Sequence, residues 1–231
     1  MSPAPPRQAA GVLLDMDGTL LDTAPDMATA LNRLRAENGL PALPYPPIRA
    51  QVSHGSAAVV RLGFPLAGER EFDALRDRFL HFYREHLVEA TRPFEGFEAV
   101  LQTLESHAIP WGVVTNTPAW LTEPLLAALG LRTRAGCVLS GDSLPQRKPD
   151  PRPLLVAADQ LGVLPGRCLY LGDAERDIMA ARGAGMIALG ARFGYLGEAD
   201  QPERWGADGW IATPAELLPW VGLSPAAVYA P

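Results

Sequence analysis

The stretch Gly11-Val-Leu-Leu-Asp-Met-Asp-Gly-Thr-Leu-Leu-Asp22-Thr23 decides the fold and indicates where its chemistry lies. Residues 12–14 are apolar and a turn signal follows at Gly18, which predicts a short buried strand. Asp15 and Asp17 come directly after this strand, at the end where open α/β sheets bind ligands. Two carboxylates this close repel each other, and a divalent cation with oxygen ligands, such as Mg²⁺, relieves that repulsion. The stretch therefore predicts a metal-dependent site.

Beyond this stretch, the hydrophobic pattern of the chain changes once. Residues 23–91 carry apolar side chains at a spacing of three to four and contain no convincing strand, which predicts a helical insert. From Pro93 onward, apolar strands alternate with helices, as is typical of βαβ units with a parallel sheet. We therefore predict a Rossmann-like, doubly wound α/β core over residues 10–22 and 92–231, with an inserted α-helical cap domain at 23–91.

Within the insert, we expect three helices. The first begins after Thr23 and ends near Gly39, and the third runs to about Glu89. Proline-rich residues 41–47 predict a turn region, and residues 53–62 predict the second helix.

The composition excludes several classes of function. The chain has 231 residues, and its net charge of −6 with scattered basic residues argues against a nucleic-acid partner. It has no apolar run of about 20 residues and no signal-peptide pattern, so we expect no membrane partner and a cytoplasmic location. Cys137 and Cys168 lie in apolar runs and are predicted to be reduced core residues rather than a disulfide.

Three further predicted strands also end in polar side chains. Thr115 and Asn116 follow one strand, and Lys148 follows the next. Asp173 and Asp177 follow the third. Because crossovers between parallel strands are right-handed, these ends meet at one edge of the sheet. A nucleophilic carboxylate, oxyanion-binding groups, a lysine and metal-binding carboxylates together suit phosphoryl transfer through an aspartyl-phosphate.

These segments resemble the four motifs of the haloacid-dehalogenase superfamily, and they occur in its order. They are Asp15-Met-Asp17-Gly-Thr-Leu-Leu-Asp22, Val113-Val-Thr115-Asn116, Lys148-Pro-Asp-Pro and Gly172-Asp173-Ala-Glu-Arg-Asp177. Within the superfamily, the chain is similar to phosphoglycolate-phosphatase-type enzymes that carry a helical cap after the first motif. Phe94-Glu-Gly96, Trp111-Gly-Val-Val-Thr-Asn116 and Arg204-Trp-Gly-Ala-Asp208 resemble the N-acetylmuramic acid 6-phosphate phosphatases.

The resemblance implies a role for each core residue. Asp15 would be the nucleophile, and Asp17 would protonate the leaving alcohol and then activate water. Mg²⁺ would be held by Asp15, Asp173 and the backbone carbonyl of Asp17, and Asp177 would bind through water or orient Lys148. The candidate set is Asp15, Asp17, Thr115 and Lys148 for catalysis; Gly18, Arg49, His54, Gly55, Ser56, Thr115, Asn116 and Lys148 for substrate or phosphate binding; and Asp15, Asp17, Asp173 and Asp177 for the metal.

One tripeptide and two single residues bear on substrate choice. His54-Gly55-Ser56 lies where caps of this superfamily carry a loop over the active site, and is either a helix start or a substrate reader. Arg49 is a candidate to meet an acidic substrate group, although a lone arginine is usually a surface residue. Thr117 differs from the superfamily, where a lysine commonly follows Thr-Asn, and this puts a substrate borrowed from a close relative in doubt.

We therefore expect a Mg²⁺-dependent phosphatase of a small soluble phosphomonoester, either phosphoglycolate or N-acetylmuramic acid 6-phosphate. An acid at position 17 argues against a dehalogenase, which needs none for halide departure. A phosphomutase of the β-phosphoglucomutase type would share every core residue and is the alternative. A non-catalytic binding protein is least favoured, because Asp15 and Asp17 are both intact, and the chain is expected to be a monomer or a homodimer.

Overall fold

The computed structural model describes residues 8–225, and its central feature is a six-stranded parallel sheet. The strands in chain order are β1 (Gly11–Leu14), β2 (Leu21–Asp22), β3 (Arg92–Pro93), β4 (Trp111–Val114), β5 (Cys137–Leu139), β6 (Cys168–Gly172), β7 (Ile187–Ala191) and β8 (Gly209–Ile211). The large sheet has the order β5-β4-β1-β6-β7-β8, while β2 and β3 form a separate antiparallel pair.

Helices connect the strands of the sheet. They are α1 (Ala24–Glu37), α2 (Tyr45–Val52), α3 (Ser56–Gly63), α4 (Glu69–Glu85), α5 (Phe97–Ser106), α6 (Ala119–Ala128), α7 (Arg152–Gln160) and α8 (Glu175–Gly183), with 3₁₀ helices at Pro165–Arg167, Pro202–Arg204 and Pro214–Val221. No helix within residues 8–225 combines the length and the apolar character needed to cross a membrane.

The sheet is covered on both faces because its central strand alternates its buried side chains. Val12 and Leu14 belong to a core cluster that includes residues of α5 and α6. Leu13 belongs to a second cluster with residues of α7 and α8, where Cys137 and Cys168 are buried as free thiols. This layering confirms the predicted Rossmann-like, doubly wound α/β fold.

Strand β1 lies where the direction of the winding changes. It pairs with β4 on one side and β6 on the other, with Val12 opposite Trp111 and Leu169. The chain therefore winds one way through β4 and β5 and the other way through β6, β7 and β8. Such a switch point opens a crevice at the carboxyl ends of the strands, directly beyond β1.

Helices α1 to α4, here called the helical segment, lie in sequence between β2 and β3. Within the segment, α1 packs against the other three helices. The two ends of the segment are tied together by Asp26, whose carboxylate accepts the backbone N–H of Ala90 at 2.9 Å and of Thr91 at 2.8 Å. The Thr91 hydroxyl also donates to it at 2.7 Å. The chain thus leaves the sheet and returns to it at neighbouring points.

Two predicted boundaries inside the helical segment are wrong. The turn expected over residues 41–47 ends early, because α2 begins at Tyr45 with Pro46 and Pro47 in its first turn. Proline is tolerated there because the first N–H groups of a helix have no partner within it. The single helix expected over 53–62 is replaced by a break before α3 at Gly55, whose φ of 89° suits glycine.

Candidate active site

A buried lysine joins two carboxylates at the carboxyl edge of the sheet. Lys148, in the loop after β5, lies 2.8 Å from an oxygen of Asp15 and 2.8 Å from an oxygen of Asp177. Its ammonium group also donates to the hydroxyl of Tyr170 at 2.7 Å, and that hydroxyl donates to the Val114 carbonyl at 2.8 Å. Only 2% of Lys148 is exposed. All three ammonium protons thus have acceptors, which fixes the position of the charge.

The electrostatics of this cluster leave it with an excess of negative charge. Burial raises the pKa of Asp15 to about 8, helped by the charge of Asp177 and opposed by Lys148. Burial and Asp177 also raise the pKa of Asp173 to about 6. Burial alone would lower the pKa of Lys148, but Asp15 and Asp177 reverse this and raise it. One buried cation therefore does not neutralise the three carboxylates.

A metal ion fits this donor set. Asp15, Asp173 and Asp177 each offer a carboxylate oxygen, and these atoms all lie within 4.8 Å of one another. All three residues are buried, and carboxylate oxygens are the ligands that Mg²⁺ takes in proteins. A divalent cation would also supply the positive charge that the raised carboxyl pKa values call for. The side chain of Asp17 is not a member of this group.

The carboxylate of Asp17 is held instead by two hydroxyl groups. Thr23, just before α1, donates to one carboxylate oxygen at 2.7 Å. Thr117, after β4, donates to the other at 2.6 Å. Burial raises the pKa of Asp17, and the bonds from Thr117 and Thr23 oppose that rise. Asp17 is thus a buried acid with a fixed orientation beside Asp15, which suits proton transfer.

Asp173 links the sheet to the helical segment. Its carboxylate accepts the backbone N–H of Tyr195 at 2.7 Å and the hydroxyl of Ser53 at 2.6 Å. Ser53 immediately follows α2, so this bond joins the helical segment directly to a candidate metal ligand. Gly18 is also required here: its φ is 77°, and a Cβ atom would collide with the Asp173 carboxylate.

A cavity of about 270 Å³ opens above these groups. Its lining includes most of the predicted site residues, namely Asp15, Asp17, His54, Gly55, Ser56, Thr115, Asn116 and Lys148. The Asn116 side-chain amide donates to the Lys148 carbonyl at 2.9 Å, which holds two of the predicted loops together. The loop before α3 therefore lies over the candidate catalytic carboxylates.

The structure does not bring Arg49 into this cavity. Its guanidinium donates to the carbonyl of Phe193 at 3.0 Å and lies 4.8 Å from the ring centroid of Tyr195. Arg49 therefore packs the helical segment against the loop after β7. Gly18 likewise is absent from the cavity lining and acts through its close approach to Asp173.

Sequence reasoning missed several residues of the site. The sequence pattern presents Thr117 only as the absence of a lysine, whereas its hydroxyl donates to the Asp17 carboxylate. Ser53 and Tyr170 carry no motif, and only the folded chain brings them to Asp173 and Lys148. Arg76 of α4 also lines the cavity. It lies 61 residues after Asp15 in the sequence, a separation that no local pattern bridges.

Comparison with known proteins agrees with this geometry. Residues 12–191 match the family model described as haloacid dehalogenase-like hydrolase. A phosphoglycolate phosphatase from Xanthomonas campestris pv. campestris (strain 8004) is 43% identical over 206 residues, which cover 89% of this chain and 93% of that protein. An N-acetylmuramic acid 6-phosphate phosphatase from Pseudomonas aeruginosa is 42% identical over 208 residues, covering 90% and 92% respectively.

A solved structure with the same fold extends the comparison. It is described as a predicted phosphoglycolate phosphatase from Haemophilus somnus 129pt, with a TM-score of 0.79 and 26% identity, covering 90% of this chain and 95% of that one. The family match spans the four motif segments and the helical segment alike. The chain therefore belongs to the haloacid dehalogenase-like hydrolase family.

Proposed function

We propose that this protein is a Mg²⁺-dependent phosphatase that hydrolyses a small phosphomonoester through a phosphoryl intermediate on Asp15. The observation that carries the proposal is the buried Asp15–Lys148–Asp177 cluster, with the separately held acid Asp17 beside it at the floor of a cavity. The names of the Xanthomonas and Pseudomonas relatives, both phosphatases, support it.

In the first half of the proposed reaction, a carboxylate oxygen of Asp15 attacks phosphorus and the bond to the ester oxygen breaks. Asp17 donates its proton to the departing oxygen, which leaves as an alcohol. The Thr115 hydroxyl, the Asn116 backbone and the Lys148 ammonium would hold the phosphoryl oxygens, and all three residues line the cavity. Lys148 would also hold Asp15 ionised against the effect of its burial.

In the second half, Asp17 takes a proton from water, and the resulting nucleophile attacks the phosphorus of the aspartyl-phosphate. Inorganic phosphate leaves and Asp15 is restored. Mg²⁺, held by Asp15, Asp173, Asp177 and the Asp17 carbonyl, would supply positive charge that offsets the phosphoryl dianion. The hydroxyl groups of Thr23 and Thr117 hold the Asp17 carboxyl group in the same position for both proton transfers.

Residues 23–91 would act as a cap that closes over the phosphoryl group and excludes water. Ser53 and the loop at residues 54–56 support this, because they reach Asp173 and the cavity. The cavity volume lies just below the range of roughly 300–1,000 Å³ for small-molecule sites, which favours a small ester. Phosphoglycolate and N-acetylmuramic acid 6-phosphate, named in the relatives, are the first candidates.

Phosphate release from a panel of phosphomonoesters, measured with and without Mg²⁺, tests the proposal. We expect release that depends on Mg²⁺ and disappears in Asp15→Asn, a variant that keeps the size of the side chain. Conversion of a hexose 1-phosphate into its 6-phosphate without phosphate release would support a mutase instead. No turnover on any ester by a folded, Mg²⁺-loaded protein would contradict catalysis altogether.

A further inference from the structure

We propose that the cavity holds a second anion-binding subsite, centred on Arg76 of α4, which binds a carboxylate on the ester arm of the substrate. This inference rests on the proposed phosphatase function and specifies its substrate class. The substrate would be a short phosphomonoester of a hydroxy acid.

The first observation is that three arginines line the cavity, namely Arg76, Arg147 and Arg176. Arg176 acts electrostatically on Asp17 and Asp173 and opposes the rise in the pKa of both, so its charge belongs to the floor of the cavity. Within residues 8–225, Arg76 has only Asp73, at 3.7 Å, and the two side chains are 40% and 67% exposed, so that pair is weak. By contrast Arg78, two residues later on α4, pairs closely with Glu37.

The second observation is that Arg76 takes no part in the charge balance of the phosphoryl site. Lys148 already lies between Asp15 and Asp177, and the candidate metal ligands lie on the same side. Arg76 is not among the charges that act on these carboxylates, so it adds positive charge elsewhere in the cavity. An anionic group on the substrate other than the phosphate is the natural partner for that charge.

The third observation concerns what lies beside Arg76. Leu80, one helical turn later on the same face of α4, also lines the cavity, as do Met27 and Val52 of the helical segment. An apolar wall next to a guanidinium suits a short hydrocarbon arm that ends in a carboxylate. Arginine binds a carboxylate through two parallel hydrogen bonds, which gives geometric as well as charge selectivity.

A matched pair of esters tests the subsite. Phosphoglycolate and 2-hydroxyethyl phosphate differ in that a carboxylate is replaced by a neutral alcohol of similar size. We expect the wild-type protein to favour phosphoglycolate in kcat/KM by at least about tenfold, the effect of one charge-assisted hydrogen bond. In Arg76→Gln this ratio should fall about tenfold, mainly through a higher KM for phosphoglycolate.

The control is Arg70→Gln, which removes the same charge from an exposed position of the same helix, outside the cavity lining. It should leave the selectivity ratio unchanged, and Arg76→Lys should restore part of it. An unchanged ratio in Arg76→Gln would overturn the assignment. If the protein prefers the bisphosphate of ethylene glycol over phosphoglycolate, the subsite binds a second phosphate rather than a carboxylate, and the assignment is likewise overturned.

The outcomes separate this inference from the function on which it rests. Phosphate release from both esters with equal efficiency would contradict the subsite and leave the phosphatase intact. Absence of release from either ester, and from the wider panel, would contradict the phosphatase itself.

Discussion

Replacing Lys148 by methionine would remove the one cation that residues 8–225 contribute to the buried cluster, and leave a side chain of similar length. In the metal-free protein, Asp15 and Asp177 would then be two buried carboxylates without their shared partner at 2.8 Å. Breaking a buried ion pair in this way costs about 3–5 kcal/mol. That is a large part of the roughly 5–15 kcal/mol by which a domain is stable.

The size of the loss should depend on pH and on metal. At low pH the carboxyl groups can take up protons, so the variant should approach the wild-type protein near pH 5 and diverge near pH 8. Millimolar Mg²⁺ should restore part of the stability, because it replaces the missing positive charge between the same carboxylates. The free energy of unfolding in urea, followed by tryptophan fluorescence in chelator and in Mg²⁺, measures both effects.

A double variant provides the control. Lys148→Met combined with Asp177→Asn carries one buried charge fewer, so it should be more stable at pH 8 than Lys148→Met alone. The reasoning is refuted if the free energy of unfolding of Lys148→Met lies within about 1 kcal/mol of the wild-type value in chelator at pH 8, because about 1 kcal/mol is the most that an exposed ion pair usually contributes.

Three further predictions concern pH, orientation and the join between the two parts of the chain. In chelator, the stability of the folded protein should fall as pH rises from about 4 to about 8. Asp15 and Asp173, with pKa values raised to about 8 and about 6, keep protons in the folded state that the unfolded chain has already released. The melting temperature should fall with pH in the same way, and Mg²⁺ should reduce this dependence. Thr117→Val should lower kcat/KM about tenfold for alkyl phosphates but little for p-nitrophenyl phosphate, whose leaving group needs no proton from Asp17, and Thr117→Ser should restore the loss. Asp26→Ala should cost about 2–4 kcal/mol in urea unfolding, because it leaves the buried N–H and hydroxyl donors of Thr91 without a partner, and a loss below 1 kcal/mol would contradict this.

The sheet and the catalytic edge could be predicted because each depends on a short local signal. An apolar run that ends in Asp15, Thr115 or Asp173 identifies both a buried strand and the polar group at its end. Parallel pairing then brings these ends together without any further information. The approximate order of helices and strands follows from the same alternation of patterns.

Long-range contacts could not be predicted in the same way. Strand β8 is only three residues long and partly exposed at the edge of the sheet, so its pattern is too short to recognise. Arg49 and Arg76 have the same charge and both lie on helices of one segment, yet only Arg76 lines the cavity. No hydrophobic periodicity in the sequence distinguishes Arg49 from Arg76, because the packing of α2 and α4 decides which of the two side chains points into the cavity.

The central claim is that the carboxylate of Asp15 carries the phosphoryl group during turnover. Acid quenching of the Mg²⁺-loaded protein within one turnover of a phosphomonoester, followed by peptide mass mapping, tests it directly. We predict that the peptide containing Asp15 gains the mass of one phosphoryl group, and that this gain disappears at long times as phosphate is released. Phosphate release with no such gain on that peptide, or a gain on a different residue, would contradict the account.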